Sequence, residues 1–324
     1  MNNKFDELAK GLAQSVTRRQ ALRKFGVGLA IMALACFGLA NPARAAGPTY
    51  TTIDFPGSVG TLAVDINDFG QVAGRYIDSA GVNHGYLLDN GIFTSITFPG
   101  ASFTRAIGIN LSGDIVGSYS TPSDKGPGEH GFLLRGGVFT SIDFPNAVAT
   151  LTAGINSRGD IAGFYQDDKT RHGFVLHAGT FSTIDYPGAS YTEAWKINDL
   201  GQVAGRYIGK DGNFHVYLLS SGNFTSFDYP GALQTSPQGY SHVGGLNNLG
   251  DIASDYTSGA PSKYLSRPDD AGNVHGFILS AGVFTSFDFP AANTTLPFGI
   301  NDNRQVVGVY ADVNDAFHGF LRTP

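Results

Sequence analysis

Apolar and polar residues alternate over short stretches from residue 50 onward, and the same stretches return six times. Each copy reads approximately T-x-A-x-G-I-N-D-x-G-D-I-V-G-x-Y, then a variable piece, then H-G-F-L-L-x-x-G-x-F-T-S-I-D-F-P-G. Short alternating runs separated by turn residues predict four β-strands per copy. In "HGFLL" the apolar residues fall on both faces of the strand, which indicates sheets covered on both sides.

Three residue types recur once per copy at fixed places. The asparagine column is Asn67, Asn110, Asn156, Asn198, Asn247 and Asn301. The tyrosine column is Tyr76, Tyr119, Tyr165, Tyr207, Tyr256 and Tyr310. The histidine column is His84, His130, His172, His215, His275 and His318. Each asparagine opens an N-D-x-G type of turn, whose glycine supplies a positive φ. In the sixth copy Arg304 replaces that glycine, and we expect Asn303 to take the left-handed conformation.

Four-stranded repeats of about 45 residues are typical of β-propellers. The last copy stops after three strands, and the missing fourth strand occurs at the start, as "YTTIDFP" from Tyr50 to Pro56. We therefore predict an all-β, six-bladed β-propeller over residues 50–324. Each blade has four antiparallel strands, and the N-terminal strand closes the ring by completing the last blade. An open or solenoid array is the alternative, but it gives no reason for complementary chain ends.

The motifs "GIND.G.IVG.Y" and "HGFLL" resemble the extracellular HAF-repeat family, which is named for a His-Ala-Phe motif. The likeness covers about residues 50–324. Five copies have His-Gly-Phe or His-Gly-Tyr, and one has His-Val-Tyr at His215. The resemblance implies an exported repeat protein, and it brings no established catalytic residues.

Residues 1–45 are typical of an export signal. The pair Arg18–Arg19 precedes an apolar run at 25–40, and Ala43 and Ala45 supply the small residues of a cleavage site. The arginine pair predicts the twin-arginine route, and hence a secreted or periplasmic bacterial protein. The run is too short to cross a bilayer comfortably, so we expect no integral membrane association after cleavage. An ordinary secretory signal or an uncleaved anchor is the alternative.

Removing the signal changes the charge. The chain has 21 Lys and Arg residues and 27 Asp and Glu residues. The first 45 residues contain seven of the basic and two of the acidic residues, so the remainder has 14 basic and 25 acidic residues and a net charge of −11. Such a surface repels nucleic acid and anionic lipid. The single cysteine, Cys36, lies in the signal, so neither disulfides nor thiolate metal sites are expected. We predict no cofactor and a monomeric protein.

The columns themselves favour structural roles. One histidine per copy is spread around a ring, too far from the others to share a metal ion, so we expect each imidazole to cap a strand or bond backbone. The sequence has no G-x-S-x-G elbow, H-E-x-x-H motif or phosphate loop. We therefore predict no catalytic residues and no metal site.

Departures from the repeat point to a ligand-binding face. The loops between second and third strands vary, with long ones at 120–129 and 257–274, and the connection at 231–242 is extended. These loops lie on one face, and a varied face is where ligands bind. The polar or aromatic outliers near this mouth are the candidate binding residues Asp65, Arg105, Glu193, Trp195, Lys196 and His242. Opposite charges beside an aromatic ring suit a sugar, although Arg105, Glu193 and Lys196 fit a merely solvated rim as well.

The leading hypothesis is an exported, non-catalytic binding or scaffold propeller. Its variable-loop face would recognise a glycan, another polymer or a protein partner. The alternative is a propeller lyase or glycoside-cleaving enzyme, with Glu193, His242 or Asp65 as acid or base at the channel mouth. Convergence of these side chains around one pocket favours the enzyme, and dispersal favours binding. A self-associating cell-surface repeat is a third possibility.

Overall fold

The structure is a computed structural model that describes residues 47–124, 128–232, 234–235, 244–258 and 274–324. Every regular element in these ranges is a β-strand, and the strands lie in one compact unit, Pro48–Pro324. No helix in the described part of the chain is long and apolar enough to cross a bilayer. The predicted export signal, residues 1–45, lies outside the described residues.

Sixteen consecutive strands form four antiparallel sheets of four strands each. The first sheet contains β2 (Gly60–Ile66), β3 (Val72–Ile77), β4 (Asn83–Asp89) and β5 (Ile92–Ile96). The second contains β6 (Phe103–Ile109), β7 (Ile115–Ser120), β8 (His130–Arg135) and β9 (Val138–Ile142). The third contains β10 (Ala149–Ile155), β11 (Ile161–Gln166), β12 (Arg171–His177) and β13 (Thr180–Ile184). The fourth contains β14 (Thr192–Ile197), β15 (Val203–Ile208), β16 (Phe214–Ser220) and β17 (Asn223–Phe227).

The other described strands form one eight-stranded sheet. Its members are β1 (Thr49–Ile53), β18 (Gln234–Thr235), β19 (Ile252–Thr257), β20 (Val274–Ser280), β21 (Val283–Phe287), β22 (Thr294–Ile300), β23 (Val306–Ala311) and β24 (Phe317–Thr323). A parallel bridge between Val274 and Thr294 joins β20 to β22. β1 pairs antiparallel with β24, with Ile53 opposite Gly319.

The molecule is therefore a β-propeller with four-stranded antiparallel blades, but the predicted count of six blades is wrong. Four blades are separate four-stranded sheets, whereas the remaining strands are hydrogen-bonded into a single sheet of eight. The cause is the backbone bridge between β20 and β22. Such a contact depends on how closely two neighbouring strands approach, which the spacing of a repeat does not encode.

A ring of asparagine side chains joins all six copies of the repeat. Each Nδ2 donates to the backbone carbonyl of the next asparagine at 3.0–3.2 Å, in the order Asn67, Asn110, Asn156, Asn198, Asn247, Asn301 and back to Asn67. Asn110 also donates to Asp114 and accepts the backbone N–H groups of Ser112 and Asp114. Asn110 thereby uses both its donors and both its acceptor sites while only 4% exposed.

The turn after each asparagine requires a residue in the left-handed region. Five copies use glycine, such as Gly70 with a φ of 78°. In the sixth copy Arg304 itself has a φ of 58°, so the prediction that Asn303 takes this conformation is wrong. Arg304 Nε donates to Asp251 of the preceding repeat at 2.9 Å, and this contact favours the unusual backbone.

Stacked aromatic rings join each repeat to the next. Phe98 follows β5 and stacks on Tyr119 of β7, with ring centroids 3.6 Å apart, and Tyr119 stacks in turn on His130. Corresponding stacks occur at Phe55–Tyr76, Phe144–Tyr165, Tyr186–Tyr207, Tyr229–Tyr256 and Phe289–Tyr310. The tyrosine column therefore serves packing between neighbouring repeats, as predicted.

The column histidines bond carboxylates, so the prediction that they bond backbone or cap strands is wrong. His215 Nδ1 lies 3.0 Å from Asp228 Oδ1, and its Nε2 lies 3.1 Å from Asp211 Oδ1. In the first sheet Thr97 takes the place of the fourth-strand aspartate, 3.4 Å from His84. Among the described residues, no group of three or more His, Cys, Asp and Glu is arranged to hold a metal ion.

Replacing Asn156 by aspartate should break the asparagine ring without changing its shape. One carboxylate oxygen can still accept the turn N–H groups, but the other faces the Asn198 carbonyl and the Asp160 carboxylate. Because buried acceptors then oppose each other, we expect a loss of about 2–4 kcal/mol in the free energy of unfolding. Urea denaturation measures this loss. The control is Asn223→Asp, at an exposed turn where the amide donates to Ser221, with an expected change within about 0.5 kcal/mol. Equal effects at both positions would contradict a special role for the ring.

Replacing His215 by glutamine should alter how stability depends on pH. Burial lowers the pKa of His215, but hydrogen bonds to Asp211 and Asp228 outweigh it and raise the pKa overall. A raised pKa means that protonated His215 stabilises the fold. This stabilisation is complete below the pKa of histidine in the unfolded chain, about 6.5, and is lost as the pH rises through the pKa of His215 in the folded protein. The hydrogen bond from His215 lowers the pKa of Asp211 to about 2, so this contribution is present above pH 3.8 and lost as the pH falls.

We therefore expect the stability difference between wild type and His215→Gln to be largest between about pH 4 and 6.5 and to shrink as the pH rises above 6.5 through the folded pKa of His215. Urea midpoints measured across this range give the difference. His84→Gln is the matched control and should cost less stability, because Thr97 stands in the place of Asp228 there and Asp78 is the one carboxylate that His84 contacts among the described residues. A constant difference for His215→Gln from pH 4 to 9 would be inconsistent with a charged histidine.

Candidate functional site

In five of the repeats, the first strand places an apolar side chain in the middle of the propeller. The pairing register shifts three residues before the ring asparagine in β2, β6, β10, β14 and β22. The residues at these shifts are Val64, Ile107, Ala153, Trp195 and Phe298. All five are buried and belong to one apolar cluster. Trp195, predicted as a ligand-binding ring, is thus only 2% exposed.

Asp65 and Lys196 form a buried ion pair beneath this cluster. Each lies two residues before a ring asparagine, in the first and fourth repeats, which are three steps apart in either direction around the ring. Lys196 Nζ lies 2.9 Å from Asp65 Oδ1, and Asp65 Oδ2 accepts the backbone N–H of Ile109 at 3.1 Å. Burial raises the pKa of Asp65, and the ammonium group of Lys196 opposes this rise.

Glycine occupies the same position in the other four repeats because the strands approach closely there. A Cβ on Gly108 would lie 2.5 Å from the carbonyl oxygen of Ala153, and one on Gly245 would lie 2.0 Å from the backbone nitrogen of Ile300. Gly154 and Gly299 are similarly confined. This level of the propeller therefore has room for one pair of opposite charges and little else.

Replacing Lys196 by methionine should leave Asp65 buried without its partner. We expect a loss of about 3–5 kcal/mol in the free energy of unfolding at pH 7. The double variant Lys196→Met with Asp65→Asn should regain most of that loss, because no charge remains buried. The penalty of the single variant should also shrink as the pH falls toward about 4, since protonation neutralises a carboxyl group whose pKa burial raises. Urea denaturation of both variants checks this, and equal losses in the two would contradict the pairing.

A cavity of about 190 Å³ opens at the end of the propeller where β11 ends and β12 begins. The asparagine turns join the first and second strands at their opposite ends, so this cavity lies on the side that carries the variable loops. Its charged and aromatic lining residues are Arg105, Glu129, Phe164, Arg171, Trp195 and Arg206. We call it the loop-end cavity.

Glu193 adjoins the loop-end cavity but is fully buried. Its carboxylate accepts hydrogen bonds from Arg206 Nε at 2.6 Å and Arg171 Nη1 at 2.7 Å. It also accepts from Trp195 Nε1 at 2.9 Å and from the Tyr191 hydroxyl. Burial raises the pKa of Glu193, but the two guanidinium groups outweigh it and lower the pKa overall. Glu193 is therefore a fixed anion that positions two arginines, without the access to solvent that an acid or base requires.

Arg105 lies at the rim of the same cavity, with its side chain 20% exposed. Its Nε donates to Ser118 Oγ at 3.2 Å, and its Nη2 forms an ion pair with Glu129. The ring of Phe103 lies 5.1 Å from its Cζ. These contacts hold the guanidinium group at the start of β6, beside the loop that precedes β8.

The predicted site residues separate into two groups. Arg105 and Trp195 line the loop-end cavity and Glu193 bonds its wall, whereas Asp65 and Lys196 line a polar depression at the asparagine ring. Glu193 and Lys196 do not merely solvate a rim, since they are 0% and 5% exposed. His242 lies outside the described residues. The two carboxylates considered as acid and base thus line different parts of the molecule.

Sequence reasoning missed four of the cavity residues. Phe164 and Arg206 each precede a column tyrosine, and Glu129 and Arg171 each precede a column histidine. Both positions vary from copy to copy, and both lie where strands meet the variable loops. A comparison of these two columns would have indicated the cavity.

No protein-family model and no curated protein sequence matches this chain. Among solved structures, a putative TolB from Agrobacterium tumefaciens has a TM-score of 0.53 at 10% identity, covering 82% of this chain and 90% of that one. A mutant of AofleA from Arthrobotrys oligospora has a TM-score of 0.50 at 11% identity, covering 85% and 86%. A mutant Aleuria aurantia lectin in complex with Fucalpha1-6GlcNAc has a TM-score of 0.49 at 11% identity, covering 84% and 93%. The likeness to the first two extends to the fold alone.

Proposed function

We propose that this protein is an exported, non-catalytic binding propeller that holds part of a glycan in the loop-end cavity. The observation that carries the proposal is the wall of this cavity, where three arginines and two aromatic rings meet on the variable-loop side. Guanidinium groups donate several hydrogen bonds in a fixed plane, which suits the many oxygen atoms of a sugar.

The wall of the cavity is held in place before any ligand arrives. Arg171 and Arg206 are fixed by Glu193, and Arg105 is fixed by Ser118 and Glu129. The ring of Phe164 packs against Trp195, with centroids 5.1 Å apart. A preorganised wall reduces the entropy that binding must overcome, which favours recognition of a ligand.

Acid and base catalysis fits the geometry less well. Retaining glycosidases need two carboxyl groups about 5–5.5 Å apart beside the scissile bond, and inverting ones about 6.5–9.5 Å. Here Glu193 is enclosed by four donors, and Asp65 is paired with Lys196 at the asparagine ring. Neither carboxylate lines the loop-end cavity.

The location outside the cytoplasm is part of the same proposal. Its support is the arginine pair Arg18–Arg19 with the apolar run and small residues that follow it. The resemblance of the repeats to the extracellular HAF-repeat family agrees with that location. The sequence of residues 1–45 should therefore direct a fused reporter out of the cytoplasm.

Filling the cavity should abolish glycan binding. Ala149 lines the cavity at the start of β10, and Ala149→Trp places a large ring there. On a glycan array, the full chain should bind a defined subset of oligosaccharides, and Ala149→Trp should bind them at least about tenfold more weakly. The matched control is Leu111→Trp, which adds the same ring at the asparagine-ring depression and should bind normally. Absence of any glycan ligand, or equal binding by Ala149→Trp, would contradict the proposal.

A further inference from the structure

The loop-end cavity concentrates positive charge. Three arginines, Arg105, Arg171 and Arg206, line it. Glu129 bonds Arg105, and Glu193 bonds both Arg171 and Arg206. The chain as a whole has a formal net charge of −6, so this concentration of arginines stands out. A positive charge in a largely desolvated wall is stabilised when an anion meets it.

Arg171 has a hydrogen-bonding edge that the protein does not use. Its Nη1 donates to Tyr191 at 3.0 Å and to Glu193 at 2.7 Å. Within the described residues, its Nε and Nη2 have no acceptor. These two atoms form a pair of parallel donors that matches the two oxygens of a carboxylate. The side chain is 38% exposed, so a ligand can reach this edge.

The surroundings of Arg171 fix its plane and limit the size of the ligand. The ring of Phe164 lies 5.1 Å from Arg171 Cζ and holds one face of the guanidinium group. Pockets for drug-sized molecules span about 300–1,000 Å³, whereas this cavity has about 190 Å³. It therefore has room for one ring of an oligosaccharide, which can pack against Leu151 and Phe164.

Arg105 provides a second donor at the rim. Its Nε and Nη2 are bonded to Ser118 and Glu129, and its Nη1 has no acceptor in the described part of the chain. Arg105 and Arg171 line the same cavity, although they come from the second and third repeats. An anion within the cavity is therefore reached by donors from two repeats.

We infer that the loop-end cavity takes a carboxylate-bearing sugar, such as a uronic acid residue of an acidic oligosaccharide, with Arg171 gripping the carboxylate and Arg105 donating from the rim. This inference rests on the proposed function and narrows its ligand to one chemical class. The coplanar pair of open donors on Arg171 matches the two oxygens of a carboxylate.

Calorimetric titration of the full chain tests the assignment. The probes are short oligomers of galacturonate, of glucuronate and of mannuronate, each paired with its carboxyl-reduced form, together with a sulfated oligosaccharide. We expect at least one uronate oligomer to bind and its reduced form to bind about tenfold more weakly or worse. Arg171→Lys keeps the charge but loses the paired donors, and it should weaken uronate binding by a similar factor. Arg135→Lys, at an ion pair with Asp114 away from the cavity, is the control and should not change binding.

The outcomes separate this inference from the proposed function. Equal dissociation constants for a uronate oligomer and its reduced form would overturn the carboxylate assignment and leave glycan binding intact. Sulfated oligosaccharide binding as tightly as uronate, unaffected by Arg171→Lys, would overturn it too. If no acidic or neutral glycan binds to correctly folded protein, the proposed function itself fails. If Arg171→Lys does not fold, two other measurements test the carboxylate assignment. They are the loss of uronate binding in Arg105→Lys and the difference in dissociation constant between each uronate oligomer and its carboxyl-reduced form.

Discussion

Hydrogen bonding around the asparagine ring fixes the first strand of every repeat relative to its two neighbours. Each amide links its own turn to the carbonyl of the next repeat, so displacing one repeat breaks contacts on both sides. The groups involved are buried, and leaving one unsatisfied costs about 1–3 kcal/mol. Residues counted back from the asparagine therefore fall at fixed levels. The position two residues before the asparagine carries the ion pair or a glycine, and the position three residues before it belongs to the apolar cluster in five repeats. The position five residues before it is Arg105 in the second repeat and Glu193 in the fourth, both at the loop-end cavity.

The buried charges at the centre of the propeller and beside the loop-end cavity each have a partner of opposite charge. Asp65 and Lys196 neutralise each other, and Glu193 is shared by Arg171 and Arg206. Replacing such groups by apolar residues is often neutral or stabilising in other proteins, so their presence is weak support for stability as their purpose. Around Glu193 they instead hold guanidinium groups in one orientation beside a cavity. The arrangement favours a binding role, with the apolar cluster as its rigid support.

Much of the fold follows from the repeat, because a column of identical residues in six copies must serve one local geometry. The asparagine turns, the strands and the stacked tyrosines are of this kind, and the sequence predicts them. The blade count was wrong because the contact between Val274 and Thr294 arises between repeats. The aspartate partners of the histidines recur at a fixed spacing, but the sequence pattern does not show that their side chains face the imidazole rings. Arg171 and Arg206 occupy repeat positions whose residue differs from copy to copy. Their role could not be predicted because it depends on which strands come together at the cavity.

The pairing of β1 with β24 ties together residues that are nearly the whole domain apart, with Thr49 opposite Thr323. A ribosome makes β1 before β24, so β1 waits without its hydrogen-bonding neighbour while the strands between them are synthesised. Contacts this distant in sequence close slowly, and an unpaired strand invites association with other chains in the meantime. The pairing that covers the edge of β24 in the folded protein thus leaves β1 exposed to association with other chains while the protein is being made.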